Sequence, residues 1–312
     1  MSKMNRIASN IYSYKAEMMG VAIILIIIFH TIIPKLPSEL YEIKRFGEVG
    51  VDIFLFLGGF TCANSYLSST SLLSFYKKRL VRILPAYLLV WGFIHTVFAI
   101  RYDEGILELL SNLLFWKVLF HNDLRNWYVP AILLMYFITP SYVKFYKYGG
   151  MLLPYIIIII IIVFLIQSVG LGYYDIPFAM FWLRLPVYLI GINVFLKKDK
   201  IILNNGIVIV CAFLSAICAY LMIHYNLTEA PFQFRRFLYI PLAFAFVYFY
   251  DYKSKYLFFI GGITLELYLI HEFLQGLIWD KLSPPVFVLF LVSLPLSLLF
   301  SYSLHIFLKK VL

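Results

Sequence analysis

Charge is scarce in this chain. Only 13% of its 312 residues are Asp, Glu, Lys or Arg, while 63% are apolar and the mean hydropathy is +0.89. A soluble domain carries about a quarter charged residues, so a water-soluble fold is excluded. No polar stretch is long enough for a separate soluble unit, and one integral domain over residues 1–312 is expected. Cysteine is scarce too. Cys62, Cys211 and Cys218 all fall inside apolar runs, which excludes a disulfide framework. No short ligand spacing such as His-x-x-x-His occurs, so no metal site is expected. The first apolar run is too long for the h-region of a cleavable leader and has no small-x-small site after it. It reads as a signal anchor.

What is present is hydrocarbon, in pieces that match a bilayer. Ten candidate spans of about 20 residues each lie near 17–34, 47–66, 82–100, 127–146, 150–170, 176–196, 201–223, 236–251, 256–279 and 283–307. The expected fold is all-α and integral to the membrane, about ten transmembrane helices in one bundle. Between the third and fourth spans, Ile106–Phe120 is apolar but interrupted, and reads as an interfacial or re-entrant helix. The net charge of +10 sits in short loops. With the N-terminus inside, the inner segments carry sixteen basic residues and three acidic ones, the outer segments nine basic and ten acidic. Basic residues favour the cytoplasmic side, so both termini are expected there. The same bias accounts for the positive charge without a nucleic-acid partner, and the bilayer is the partner implied.

Against this background the buried ionisable residues stand out. A charged group in a span costs on the order of 3 kcal/mol on insertion scales. His30, Asp52, Arg184, Glu266, His271 and Glu272 all occupy apolar surroundings. Depth can be read from the helical rise of about 1.5 Å per residue. His30 then lies about 22 Å beyond Lys15 and His271 about 23 Å along the ninth span, while Asp52 opens the second span from outside and Trp127 and Tyr128 open the fourth. Four elements thus bring a histidine, an aspartate, two aromatics and a His-Glu pair to the outer third of the bilayer. Other readings stand beside this one. A single intramembrane histidine can be a packed core residue, Asp52 a solvated helix end, and Trp127 and Tyr128 belt aromatics at the interface. His95 and His305 are read as structural, while His121 and His224 lie in loops and carry no signal. On the inner side Arg79 and Arg82 are three apart, hence on one helix face. Two guanidinium forks at that spacing suit a phosphate or pyrophosphate, or they form a plain positive-inside cluster facing lipid headgroups.

These pieces, in this order, resemble the membrane-bound acyltransferase family 3, whose members include carbohydrate O-acetyltransferases of bacterial envelopes. Met18–His30 is similar to the family's first span with its histidine, and Gly50-Val-Asp52-Ile-Phe to its second span. Lys78-Arg79-Leu-Val-Arg82 resembles its Arg-x-x-Arg loop. Asn126-Trp127-Tyr128 with Tyr136 and Pro140 resembles its fourth span, and Gly262–His271 its late Tyr-Leu-x-His element. Two features depart from the pattern. Met19 stands where many members have an arginine, with Lys15 one turn earlier, and no glutamate follows Trp127 in the stretch to Ala131. The appended extracytoplasmic hydrolase-like domain of longer members is not expected.

The resemblance implies a multi-pass enzyme of the bacterial cytoplasmic membrane that moves an acyl group from cytoplasmic acyl-CoA to a glycan or lipid-linked oligosaccharide hydroxyl. Acetyl-CoA is the default donor, succinyl the alternative, and no permanently bound cofactor is expected. In this scheme Arg79 and Arg82 hold the donor phosphates. His30 takes the acceptor proton, with Asp52 or Glu272 orienting its ring, or else forms an acyl-histidine. Trp127, Tyr128, His271 and Glu272 line the acceptor site. The competing functions are a polysaccharide or glycolipid exporter or flippase, and a non-catalytic subunit of envelope biosynthesis.

Overall fold

The structure, a computed structural model, describes residues 6–33, 36–103, 105–121, 123, 126–170, 177–199, 203–225, 235–282 and 285–312. Among the described residues every regular element is helical. In chain order these are α1 (Arg6–His30), α2 (Ser38–Arg45), α3 (Val49–Ser68), α4 (Leu72–Tyr87), α5 (Phe93–Arg101), α6 (Ile106–Leu113), α7 (Trp116–Phe120), α8 (Tyr128–Lys147), α9 (Leu152–Gly170), α10 (Ala179–Leu196), α11 (Asn205–His224), α12 (Arg235–Phe249), α13 (Lys255–Gly262), α14 (Thr264–Leu282) and α15 (Val286–Val311). A 3₁₀ turn at Phe46–Glu48 joins α2 to α3, and a π-helical turn at Leu88–Gly92 joins α4 to α5.

Seven helical runs are long and apolar enough to cross a bilayer: α1, α2–α3, α4–α5, α8, α10, α11 and α15. The α13–α14 pair makes an eighth, and the shorter apolar stretches Leu152–Val163 and Arg236–Phe249 fall where the fifth and eighth spans are expected. Each expected span therefore has a helical counterpart, and the chain is a multi-pass membrane protein. The expected interfacial segment is a pair of short helices, α6 and α7, with Leu107, Leu114, Trp116 and Phe120 exposed.

The ninth span departs from expectation. It is not one straight rod but bends by 78° between Gly262 and Thr264. Two successive glycines weaken the helix there, and Gly261 lets the backbone of α13 press against the Ala16 carbonyl of α1. The depth of His271 thus does not follow from a straight rise along that span. Its position is fixed by what it touches.

Helices in a bilayer gain little from apolar burial against lipid, so close backbone approach and small residues drive their packing. The centre of the bundle shows this. Gly59 of α3 faces the Tyr188 carbonyl of α10, and Gly191 of α10 faces the Phe56 carbonyl of α3; a Cβ on either would collide with backbone. Met18, Ala22 and Ile23 of α1, Leu55, Phe56 and Phe60 of α3, and Tyr188 and Leu189 of α10 are buried around this crossing. One apolar core continues from Ile7 to Leu308. The outward faces of α9 and α11 expose Ile158, Ile159, Ile207, Val210 and Phe213, as a lipid-facing surface requires.

Candidate active site

His30 is the last residue of α1, and His271 projects from the second turn of α14. Nδ1 of His30 lies 3.0 Å from Nε2 of His271, with the rings stacked at 5.2 Å between centroids. Nδ1 of His271 is in turn 2.9 Å from the Leu267 carbonyl and 3.0 Å from that of Tyr268. His271 is only 1% exposed. The His30 side chain is 23% exposed and that of Glu272 66%, and Oε2 of Glu272 stands 4.0 Å from Nδ1 of His30. The pair is therefore reached from the surface past Glu272, while its inner ring is sealed. Convergence of the first and ninth spans, expected from depth, is observed as a direct contact.

A cavity of about 170 Å³ lies beside this pair, with neither histidine in its lining. Tyr128 of α8 and Tyr268 of α14 line it, their rings 5.0 Å apart, and the Tyr268 ring is 6.0 Å from that of His271. Asn126 takes a left-handed turn (φ 56°) just before α8, a conformation Asn tolerates better than most residues. Ile26, Phe54, Leu57, Ile132 and Gly58 make the apolar wall. At the other end the lining turns cationic, with Lys15, Arg79 and Arg82. A second opening of about 370 Å³ shares Lys15, Thr61 and Arg79 and adds Tyr12, Asn64, Ser65 and Ser68. A charged mouth and an apolar passage thus share one cavity, and the histidine pair stands behind Tyr268, outside its lining.

The two arginines are held by groups that spacing alone does not reveal. Arg79 donates to the Thr61 carbonyl at 3.0 Å and lies 5.5 Å from the Tyr136 ring centroid. Arg82 donates to Oε1 of Glu266 at 3.1 Å; Glu266 is fully buried and also meets Nδ1 of His305 at 3.1 Å. His305 thus shares with Arg82 the carboxylate of Glu266. Met19 lines the cavity alongside Lys15, so the lysine supplies positive charge at the mouth where the methionine does not.

Asp52 is placed differently from expectation. Its carboxylate accepts from Arg184, which is 0% exposed, and Arg184 also donates to Glu48 at 2.7 Å. Arg236 donates to the same Glu48 oxygen at 2.7 Å. Asp52 thus ties α3 to α10, and Glu48, in the 3₁₀ turn before α3, ties α10 to α12. Of the two acids expected to orient the ring of His30, Asp52 faces Arg184 and Glu272 stands 4.0 Å away, and the nearer partner of Nδ1 is His271. Trp127 packs edge to face on Tyr128, with centroids 6.1 Å apart, so it supports the cavity's aromatic end through its neighbour. Among the described residues no three His, Cys, Asp or Glu side chains are grouped to hold a metal ion.

Trp91 was not singled out by the sequence. It sits in the π-helical turn and its Nε1 donates to the Leu269 carbonyl of α14 at 3.1 Å. Turns of this kind recur at functional sites because they re-aim a side chain. Here the re-aimed indole grips α14 between the carbonyls that bind His271 and His271 itself.

Compared with known proteins, the chain matches the family model of an acyltransferase domain over residues 18–306. No curated protein and no solved structure matches it.

Proposed function

The chain belongs to acyltransferase family 3, and we propose that it moves an acyl group, acetyl by default, from cytoplasmic acyl-CoA to a hydroxyl of an envelope or exported glycan. The observation that carries this reading is the order of groups along the bundle. Lys15, Arg79 and Arg82 stand at one end of a cavity whose other end, Tyr128 and Tyr268, adjoins the His30–His271 pair. A coenzyme A thioester has the same order: anionic phosphates, a long slim arm, then the reactive carbonyl. Guanidinium groups bind phosphates through charge-assisted hydrogen bonds, and the apolar passage suits the arm. The mouth lies at the basic end of the bundle, which the charge bias assigns to the cytoplasm.

The acceptor approaches from the opposite side, past Glu272. His30 takes the proton of the acceptor hydroxyl, and the oxygen attacks the thioester carbonyl. A C–O bond forms, the C–S bond breaks, and the leaving thiolate takes the proton back from His30. No net proton or electron is consumed. Imidazole suits this exchange because it accepts and releases protons near neutral pH. Tyr128 and Trp127 offer aromatic faces to a sugar at this end.

The test is transfer by the purified protein in proteoliposomes. With acetyl-CoA labelled in the acetyl group and envelope glycan extracted from the host, alkali-labile label is expected on the glycan. Movement of unmodified glycan across the bilayer without label transfer would instead favour the exporter reading.

A further inference from the structure

The contacts of the two imidazoles fix more than their proximity. A neutral imidazole has one N–H donor and one acceptor nitrogen. Nδ1 of His271 faces two backbone carbonyls, of Leu267 and Tyr268, which only accept. The proton of His271 is therefore on Nδ1, and its Nε2 is an acceptor. That Nε2 is the atom 3.0 Å from Nδ1 of His30. Nδ1 of His30 must then donate, and the bare lone pair of His30 is left on Nε2. The chain of donors runs from His30 to His271 to the backbone of α14, with each proton assigned by the partner beyond it.

The backbone end of this chain is itself held. The Leu269 carbonyl, between Tyr268 and His271, accepts from Trp91 across 3.1 Å. Asp52, one of the two acids expected to orient His30, is engaged by buried Arg184. Glu272 is the nearest carboxylate to the pair, but its side chain is largely exposed and 4.0 Å from Nδ1.

We infer that His271 is the positioning residue of this site: it holds His30 in the Nδ1-protonated tautomer, so that Nε2 of His30 is the atom that takes the acceptor proton. This rests on the acyl-transfer reading for what His30 does, but not for how its ring is set. A wrong tautomer presents an N–H where a base is needed, and costs catalysis heavily in enzymes that depend on a fixed imidazole.

The experiment uses the full chain labelled with ¹⁵N-histidine in liposomes, with solid-state NMR to report which ring nitrogen carries hydrogen. Two variants separate tautomer control from packing. His271→Gln carries its terminal amide near the original Nε2, so its oxygen can accept from His30. His271→Asn is polar and smaller but too short to reach. The parent is expected to show His30 protonated at Nδ1 and bare at Nε2. The glutamine variant should keep that signature and turn over within about tenfold of the parent. The asparagine variant should show mixed tautomers and a kcat lowered roughly 100-fold or more, the scale of lost general-base catalysis, with little change in half-saturating acyl-CoA. A parent that turns over with a bare Nδ1 on His30, or an asparagine variant whose tautomer and kcat match the parent, overturns this inference. An inactive parent that still shows the signature overturns the acyl-transfer reading alone.

Discussion

Arg82 of α4 donates to Glu266 of α14 across 3.1 Å, and its second Nη stands 3.5 Å from the Gly262 carbonyl at the bend of the ninth span. The guanidinium thus joins the cavity mouth to the helix that carries His271. About half of this side chain remains exposed, which leaves donor hydrogens for a phosphate. Lysine keeps the charge but not the fork. Arg82→Lys should insert normally and raise the half-saturating acyl-CoA concentration about tenfold, on the scale of one charge-assisted hydrogen bond. Acceptor dependence should move less. A lysine variant that saturates like the parent would leave Arg82 as an orientation signal and tie only.

His30→Ala should abolish acyl transfer while leaving expression and the unfolding temperature close to those of the parent. Alanine is well accepted in a span, and His30 ends its helix with a partly exposed side chain. Full turnover by a well-folded alanine variant would remove the acid–base role.

Asp52→Asn and Arg184→Leu should act on stability rather than on chemistry. Arg184 is buried with Glu48 and Asp52, and removing one member of a buried ion pair typically costs about 3–5 kcal/mol. Unfolding in detergent should shift sharply for Arg184→Leu, less for Asp52→Asn, where the amide still accepts. Activity per folded molecule of Asp52→Asn should stay within a few fold of the parent. Loss of turnover without loss of stability would return Asp52 to the chemistry.

The α3–α10 crossing can be tested at two adjacent glycines. A Cβ at Gly59 would strike the Tyr188 carbonyl, which cannot rotate away, whereas one at Gly58 meets nothing nearer than 3.8 Å. Gly59→Ala should destabilise the fold by roughly 1–3 kcal/mol, as overpacking does. Gly58→Ala should be near neutral, and equal unfolding curves for the two would disprove the close approach.

Hydropathy and charge asymmetry made the spans legible, because the bilayer imposes both. Rise along a straight helix puts His30, Tyr128 and His271 near one level; the bend of the ninth span breaks that argument for His271, and its place beside His30 is seen only in their contact. The facing direction of each side chain was not legible. Asp52 is expected at the depth of His30 but turns toward Arg184, and nothing in a single sequence pairs α3 with α10. The same holds for Glu266 with Arg82, and for Trp91, whose aim depends on a π-helical turn with no local composition signal. The two glycines at 261 and 262 were the visible trace of the bend, but a glycine pair in a span is also a common packing device.

The last prediction concerns sidedness, on which the donor and acceptor routes depend. Helices α6 and α7 contain eight and five residues. Even end to end they extend about 20 Å, short of a hydrocarbon core of about 30 Å. The two helices are too short to add a crossing, and the segment is expected to lie along one interface. Cys62→Ala, Cys211→Ser and Cys218→Ser give a background free of the three native thiols. Single cysteines then go to exposed positions near the ends of the apolar runs: Glu39, Lys77, Lys197 and Tyr225. A membrane-impermeant maleimide added to intact cells should label positions 39 and 225, while 77 and 197 should react only after the membrane is opened. If α6–α7 crossed the bilayer, everything after it would invert. Positions 197 and 225 would exchange sides while 39 and 77 kept theirs. That pattern would refute the assigned orientation of the second half, whereas reversal of all four would refute the charge-bias assignment and exchange the donor and acceptor sides of the cavity.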